Sequence, residues 1–495
     1  MQALPPTGVP AAQVLQEIAE LRAADQPTHG GRLFAYVYDS GLADLDQLAS
    51  AAYALGAPVN GLDPTAFPSL LAMENALVGA ASALLGGGPG SPVVGNVTSG
   101  GTESLILAVK AARDAAGVAA PELVLPGTAH PSFVKAARYL GVRPVVVPVP
   151  AATLRPRASD VAEAITANTV LVVCSAPAYP YGLVDPVAEI AEVAAERGVR
   201  CHVDACFGGW TLPYLRRLGV AVPPFDFSVP GVTSVSVDLH KYAYTSKGVS
   251  VLLHRSDELR AAQYFAYADW PGYTMVNPTI ASTRSGGPIA AAYATLRHLG
   301  DDGYLRLTSA TWEAVRSLAA AVSAADGLRL VAEPESTVVA FTSVDPGLDL
   351  FVLADELAER GWHTQPQLAC PPGSAAAPEG LPRSIHLTVT AAVAPQVASF
   401  GPDLADAVAA ARSLGPTNVD ASLLTVAAAL TPEQLTLDTV ASLAAGLGFS
   451  LAGGTSAPLP ARRATINTLV EAAAPPVREA LFSAFLRLLQ RPTYD

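Results

Sequence analysis

The sequence predicts an α/β fold on a mainly parallel sheet, followed by a smaller α+β unit. Three observations predict it. Continuous apolar runs such as ELVLP, RPVVVPVP and TVLVVCSA read as strands buried on both faces. Stretches with helical spacing, such as SLILAVKAARDAA and DPVAEIAEVAAERG, separate them. Strand and helix alternate repeatedly, the pattern of a parallel sheet with crossover helices, until beyond about residue 300 the order changes.

Residues 1–60 form an N-terminal arm. Helical periodicity runs over 10–24 through Val14, Leu15, Ile18 and Leu21, and after a polar loop comes FAYVY at 34–38. A long helix is expected over 68–85, where Pro68 suits the first turn and GGGPG stops the run. Helix 104–116, strand 122–126 and helix 132–141, closed by Gly141, come next, then strands 143–150 and 169–176. Helix 185–198 has Asp185 as its expected N-cap and Gly198 past its end. Strands 200–206, 233–240 and 249–255 complete a large domain placed at 61–300. The remainder, 301–495, is a small C-terminal domain. It has a helix at 312–325, strands in GLRLV and STVVAFTSV, a helix at 351–361 and a strand at 383–391. An Ala-rich insertion is expected at about 392–460, with helical patches at 402–413 and 434–446 and a loop in GLGFSLAGG. The tail INTLVEAAAPPVREALFSAFLRLLQ reads as helical with a break at Pro475-Pro476.

Composition excludes several classes. Of 495 residues, 51% are hydrophobic and 15% charged, which rules out a disordered chain. The net charge is −13 and no basic block occurs, so nucleic acid is an unsuitable partner. No run approaches the roughly 18 apolar residues of a membrane span. The start, MQALPPTGVPAAQ, lacks the pattern of a secretory signal. The four cysteines, 174, 201, 206 and 370, neither suggest a disulfide framework nor have zinc spacing. A cytoplasmic globular enzyme without a metal is the expectation. Lysine occurs only at 110, 135, 241 and 247, while arginine supplies most of the positive charge. Arginine cannot perform amine chemistry, so each surviving lysine is of interest.

Four segments carry chemistry. In GNVTSGGTESL, 95–105, a glycine pair opens a helix whose free N–H groups and dipole suit a phosphate, though an ordinary capped helix has the same appearance. In CHVDACFGGW, Asp204 ends a buried strand at the carboxyl edge of the sheet, where α/β folds bind ligands; a strand-end cap is the plainer role. In SVDLHKYAYTSKG, Lys241 follows a strand and can face the same edge, or be a solvated loop lysine. His130 lies between strand and helix in GTAHPSFVKAARYLG, and a lone loop histidine is often filler. Together they offer a phosphate cradle, an acid, an amine and a flat ring, the set that pyridoxal 5′-phosphate needs.

The order of these motifs resembles fold type I pyridoxal-phosphate enzymes. TSGGTES (98–104), HPSFVKAARYLG (130–141), CSAPAYPYGLVDPVAEIA (174–191), HVDACFGG (202–209), DLHKYAYTSKG (238–248) and PTIASTRSGGPIAAAYATLRHLG (278–300) are similar to segments of the group II pyridoxal-phosphate-dependent decarboxylase superfamily, and within it of the sphingosine-1-phosphate lyases. RGW at 360–362 and LPRSIHLTVT at 381–390 extend the likeness. The resemblance implies a large domain with a seven-stranded sheet and a homodimer with shared sites. It implies Lys241 as the lysine that holds the cofactor aldehyde as an imine. Asp204 is then the partner of the pyridinium nitrogen, and His130 stacks on the ring. Gly101, Thr102 and His240 would hold the phosphate, with Ser282 or Thr283 reaching it from a neighbouring subunit. Tyr38, as a catalytic and substrate-facing group, and Lys247 match positions that contact substrate, as do Asn60 and Asp63, with Arg284 nearby.

The departures lie on the substrate side. NGLDP at 60–64 carries Asp63 where the lyases have a histidine, an unfavourable exchange for a phosphorylated substrate. Ala243 replaces a glycine, and Thr245-Ser246 replaces an Ala-Pro-like pair. The expected reaction is retro-aldol cleavage of the Cα–Cβ bond of a β-hydroxy amine. The alternative is amino-acid decarboxylation on the same cofactor residues. A non-catalytic relative is disfavoured by intact Lys241, Asp204 and His130.

Overall fold

The computed structural model describes residues 4, 5, 7–448 and 460–492. Seven strands form the central sheet in the order β1-β7-β6-β5-β4-β2-β3. They are β1 (Val94–Thr98), β2 (Glu122–Pro126), β3 (Arg143–Val147), β4 (Thr169–Ser175), β5 (Arg200–Asp204), β6 (Ser234–Asp238) and β7 (Ser250–His254). β3, β2, β4, β5 and β6 pair in parallel, and β7 is antiparallel to both β6 and β1. Of the three runs read as doubly buried strands, β2 and β4 are buried along their whole length, as are β6 and β7, whereas β3, at the sheet edge, is buried only at Val147. Helices Gly101–Ala116 and Ser132–Leu140 pack together over one part of this sheet, their ends marked by Gly117 (φ 61°) and Gly141 (φ 66°) in the left-handed region.

An exposed hairpin, β8 (Phe265–Tyr267) with β9 (Met275–Asn277), leaves the large domain. Helix Gly286–Ala324 then carries the chain to the small domain, with a break at Gly300 (φ 59°). Its start meets helix Ala43–Gly56 backbone to backbone: a Cβ on Gly56 would lie 2.5 Å from the Gly286 carbonyl oxygen. The small domain holds an antiparallel sheet in the order β10-β11-β13-β12, from β10 (Leu328–Leu330), β11 (Val338–Ser343), β12 (Gln365–Gln367) and β13 (Ser384–Thr388).

Several expectations are corrected. Asp185 does not cap its helix, which begins at Val187 with Pro186 at the cap. Its carboxylate instead accepts the Ser175 N–H at 2.7 Å, tying the crossover to the end of β4, and complete burial raises its pKa to about 7. The helices of the stretch 392–460 pack in two different places. Helix Val397–Leu414 belongs to the small-domain core through Phe400, Leu404 and Val408. Helix Leu437–Gly446 instead shares a separate apolar cluster with helix Pro475–Leu489. The break expected in the tail at Pro475-Pro476 is present: helix Ala464–Ala472 ends before it, and the prolines start the last helix. The segment GLGFSLAGG lies largely outside the described residues.

The N-terminal arm is pinned to the small domain by an aromatic trio. Phe34 stacks on Trp362 (centroids 5.6 Å apart, 15° between planes), and Phe400 meets both edge-on. All three are fully buried, and the Trp362 indole donates to Asp403 at 2.7 Å. Trp362→Ala should cost about 3–5 kcal/mol, as for other large-to-alanine core changes. Denaturant midpoints at constant slope would check it.

Candidate active site

The carboxyl ends of β2, β4, β5 and β6, with the turn after β1, surround a cleft of about 590 Å³. Gly100 and Gly101 open helix Gly101–Ala116, and no side chain caps it. Its first N–H groups and positive dipole end are therefore free for an anion. A Cβ at Gly101 would lie 2.8 and 2.9 Å from the two Asp238 carboxylate oxygens and 2.9 Å from Cys206 Sγ, so only glycine fits this cradle. The next turn is held from outside: Thr102 Oγ1 and Ser132 Oγ are 2.9 Å apart.

His130 follows β2, with its ring exposed in the cleft. Its Nδ1 accepts the Ser132 N–H at 3.2 Å, which fixes the ring and leaves the proton of the neutral form on Nε2. Partial burial, opposed by Asp204 and assisted by Lys241, keeps its pKa below the usual imidazole value. Asp204 ends β5, 8% exposed, and one oxygen accepts the Cys206 N–H at 3.1 Å.

Lys241 lies in the turn after β6, with Nζ 3.0 Å from Asp238 Oδ2 and 5.9 Å from the centre of the Phe207 ring. Burial alone would lower its pKa; Asp238 above all, then Tyr38, Cys206 and Asp204, outweigh burial and raise it. His240 donates from Nδ1 to the Val249 carbonyl at 2.8 Å. Its Cε1 would be 3.6 Å from a Cβ at Gly100, which places the ring beside the glycine cradle.

The arm supplies the opposite wall. Tyr38 packs edge-on against Tyr242 and Phe207, and its phenol pKa is pushed up by burial. Tyr36 holds a left-handed backbone (φ 68°) and is 73% exposed at the cleft. Lys247 donates to the carbonyls of Tyr36 (3.1 Å) and His240 (3.5 Å), and its Nζ lies 4.9 Å from the centre of the Tyr38 ring. Partial burial and then Lys241 pull its pKa down to about 8.

Thus Gly101, Thr102, His130, Asp204, His240, Lys241, Tyr38 and Lys247 line one cleft. Asn60, Asp63, Ser282, Thr283 and Arg284 are not brought to it within one chain. Asp63, Ser282 and Arg284 border a different cavity of about 740 Å³ alongside β1. Thr283 Oγ1 donates to Asn60 at 3.1 Å, and Asp63 is fully exposed, holding Thr65. The Arg284 guanidinium is held by both Glu74 oxygens, one at 2.9 Å, so its charge is already paired. Sequence reasoning missed Tyr179, Phe207 and Asp238. Tyr179 stacks on His386 (centroids 4.5 Å) and donates to Gln365 at 2.7 Å, joining cleft and small domain. Asp238 had a signal, an acid at a strand end three residues before Lys241.

Among the described residues, no three histidine, cysteine, aspartate or glutamate side chains are placed to hold a metal ion, and no helix is long and apolar enough to cross a membrane. The glycine cradle, acid, amine and open imidazole fit a phosphorylated pyridine aldehyde.

The family profile described as pyridoxal-dependent decarboxylase conserved domain matches residues 10–344. A second, described as the C-terminal putative HTH domain of pyridoxal-dependent enzymes, matches residues 420–488. The chain is 39% identical over 368 residues to sphingosine-1-phosphate lyase of Arabidopsis thaliana, covering 73% of this chain and 65% of that protein. It is 36% identical over 394 residues to sphingosine-1-phosphate lyase 1 of Rattus norvegicus, covering 79% and 66%. It therefore spans slightly less than two thirds of these relatives. A solved sphingosine-1-phosphate lyase from Burkholderia pseudomallei superposes with TM-score 0.77 at 35% identity, covering 84% of this chain and 94% of that one. A glutamate decarboxylase from Lactobacillus brevis shares the fold at TM-score 0.72 and 18% identity, covering 85% and 96%.

Proposed function

This chain belongs to the pyridoxal-dependent decarboxylase family, and from that premise we propose that it is a carbon–carbon lyase cleaving the Cα–Cβ bond of a β-hydroxy amine to an aldehyde and an amine. Its cofactor is pyridoxal 5′-phosphate. The observation that carries the reading is the convergence of Lys241, Asp204 and His130 on one cleft under a glycine helix start. The identity to lyases, reaching 39% with the Arabidopsis protein, supports the retro-aldol outcome.

The residues divide the work. Gly100, Gly101 and Thr102 bind the phosphate with backbone N–H groups, assisted by His240. Asp204 would keep a proton on the pyridine nitrogen, and His130 would hold the ring of the cofactor with its imidazole. When bound, the cofactor supplies an electron sink for the bond broken at the substrate α-carbon. Lys241, once free, takes and returns protons at the substrate. Tyr38 stays a neutral phenol at working pH, because burial raises its pKa, and so donates a hydrogen bond to the substrate hydroxyl. Lys247 offers a cation at the cleft for an anionic substrate group.

That last role has a pH signature. Lys247 is charged below about pH 8 and loses its charge as pH rises through that value. The KM for a phosphorylated substrate should therefore climb above pH 8. Lys247→Arg should move that limb upward, because guanidinium stays charged. Steady-state kinetics between pH 6.5 and 9.5 would check both.

Assembly as a homodimer is part of the proposal. Asn60, Ser282 and Thr283 do not face the cleft of their own chain. Beside them the hairpin β8–β9 exposes Phe265, Tyr267, Trp270 and Tyr273, an aromatic surface suited to a second copy. Four unpaired cysteines support a reducing, cytoplasmic setting. The second reading, amino-acid decarboxylation, draws on Asp63, an exposed anion where a phosphate-binding group would be favourable.

Product analysis by mass spectrometry separates the two. Protein with cofactor and a long-chain base 1-phosphate should release a fatty aldehyde and phosphoethanolamine. Release of carbon dioxide from amino acids, with no aldehyde, would overturn the lyase reading in favour of the second.

A further inference from the structure

Asp238 is a carboxylate at the floor of an anion cradle, where an anion is out of place. Its side chain is 3% exposed, and Oδ1 accepts no hydrogen bond in the structure. Oδ2 is 3.0 Å from Lys241 Nζ and 3.7 Å from His240 Nε2. Both oxygens stand under Gly101, within 2.9 Å of where a Cβ would project. The same carboxylate thus touches the lysine on one side and the helix start that binds phosphate on the other.

We infer that Asp238 is a positioning residue for cofactor capture, holding Lys241 as an unreactive ammonium until an anion enters the glycine cradle. The inference rests on the reading that Lys241 captures the cofactor. An ammonium has no lone pair and cannot add to an aldehyde. An anion at the helix start lies beside Asp238, and two anions in a site shielded from water repel. Passing one proton from Nζ to Asp238 relieves that repulsion and frees the amine. The balance is simple: ammonium and aldehyde give a C=N bond, one water and one proton, which Asp238 receives before solvent does. The other groups facing Nζ are Tyr38 from the arm, Asp204 and Cys206 at the end of β5, His130 after β2, Tyr179 after β4, and His240 and Lys247 beside it. On its own turn, Asp238 Oδ2 is the atom within ion-pair distance of it.

The probe is pyridoxal, an aldehyde without phosphate, mixed with the full-length apoprotein and followed by its visible absorbance from pH 6 to 9. The wild-type rate should rise about tenfold per pH unit. At pH 7 inorganic phosphate should raise it severalfold. Asp238→Asn should capture pyridoxal about tenfold or more faster at pH 7 and lose the phosphate effect. A flat wild-type profile, or a phosphate effect that survives in Asp238→Asn, would overturn the inference. Should that variant fail to fold, the wild type alone decides: no acceleration by phosphate overturns it. Lys241→Ala is the control. Capture that persists there sinks the reading of Lys241 itself, whereas a blank control with a flat wild-type profile sinks only the role of Asp238.

Discussion

Lys241→Ala is expected to abolish covalent cofactor capture and to lower turnover by at least about 10³-fold, the combined loss of an attachment point and a proton carrier. The chain has little to fall back on. Of the other three lysines, Lys110 pairs with Asp114, and Lys135 lies 5.5 Å from the centre of the Tyr139 ring. Lys247 shares the cleft, but its ammonium is held by the Tyr36 and His240 carbonyls. Absorbance of the reconstituted variant and single-turnover product formation would check the result. A variant that keeps the visible band would move the attachment to another amine, with Lys247 the next to test.

Asp204→Ala is expected to lower turnover by about 10²–10⁴-fold and to weaken cofactor retention during dialysis. The carboxylate is buried at a strand end, where its charge acts through a medium of low polarity. Removing it would withdraw the anion proposed to keep the pyridine nitrogen protonated. The Cys206 N–H then also loses its acceptor. Asp204→Asn keeps the shape and removes the charge, so an equal loss in that variant would assign the effect to charge. Near-normal turnover in Asp204→Asn would assign it to packing.

The parallel core was legible because strands buried on both faces are mostly apolar, so β2 and β4 announce themselves as nearly continuous runs. β1 did not, since VGNVT contains glycine and asparagine, poor strand formers. Its pairing with β7 decides its conformation, and that partner is about 150 residues distant in the chain. Helix Ala43–Gly56 was missed for a related reason: only Leu45 and Gly56 along it are buried, so its sequence carries no strong stripe. His130, Asp204 and Lys241 were legible because each follows or ends a recognisable strand, and Gly101 because a glycine pair opens a helix. The substrate side was not, since Asn60, Asp63 and Ser282 are placed by loops that no periodicity describes. Asp185 shows the limit of local rules. An acid before a helix signals a cap, yet the nearby end of β4 offered an unpaired N–H and took the carboxylate instead.

The Phe34–Trp362–Phe400 trio has a consequence for how this cleft responds to change. The groups proposed to face the cofactor hang from the large sheet, whereas the arm that bears Tyr36 and Tyr38 is moored through Phe34 in the core of the small domain and reaches the large-domain cluster at Tyr38. On the proposed roles, the groups that retain cofactor rest on one packed body, while the arm that would shape substrate choice is fastened to both. Substitutions around the trio would retune what the site accepts while leaving its bound chromophore undisturbed.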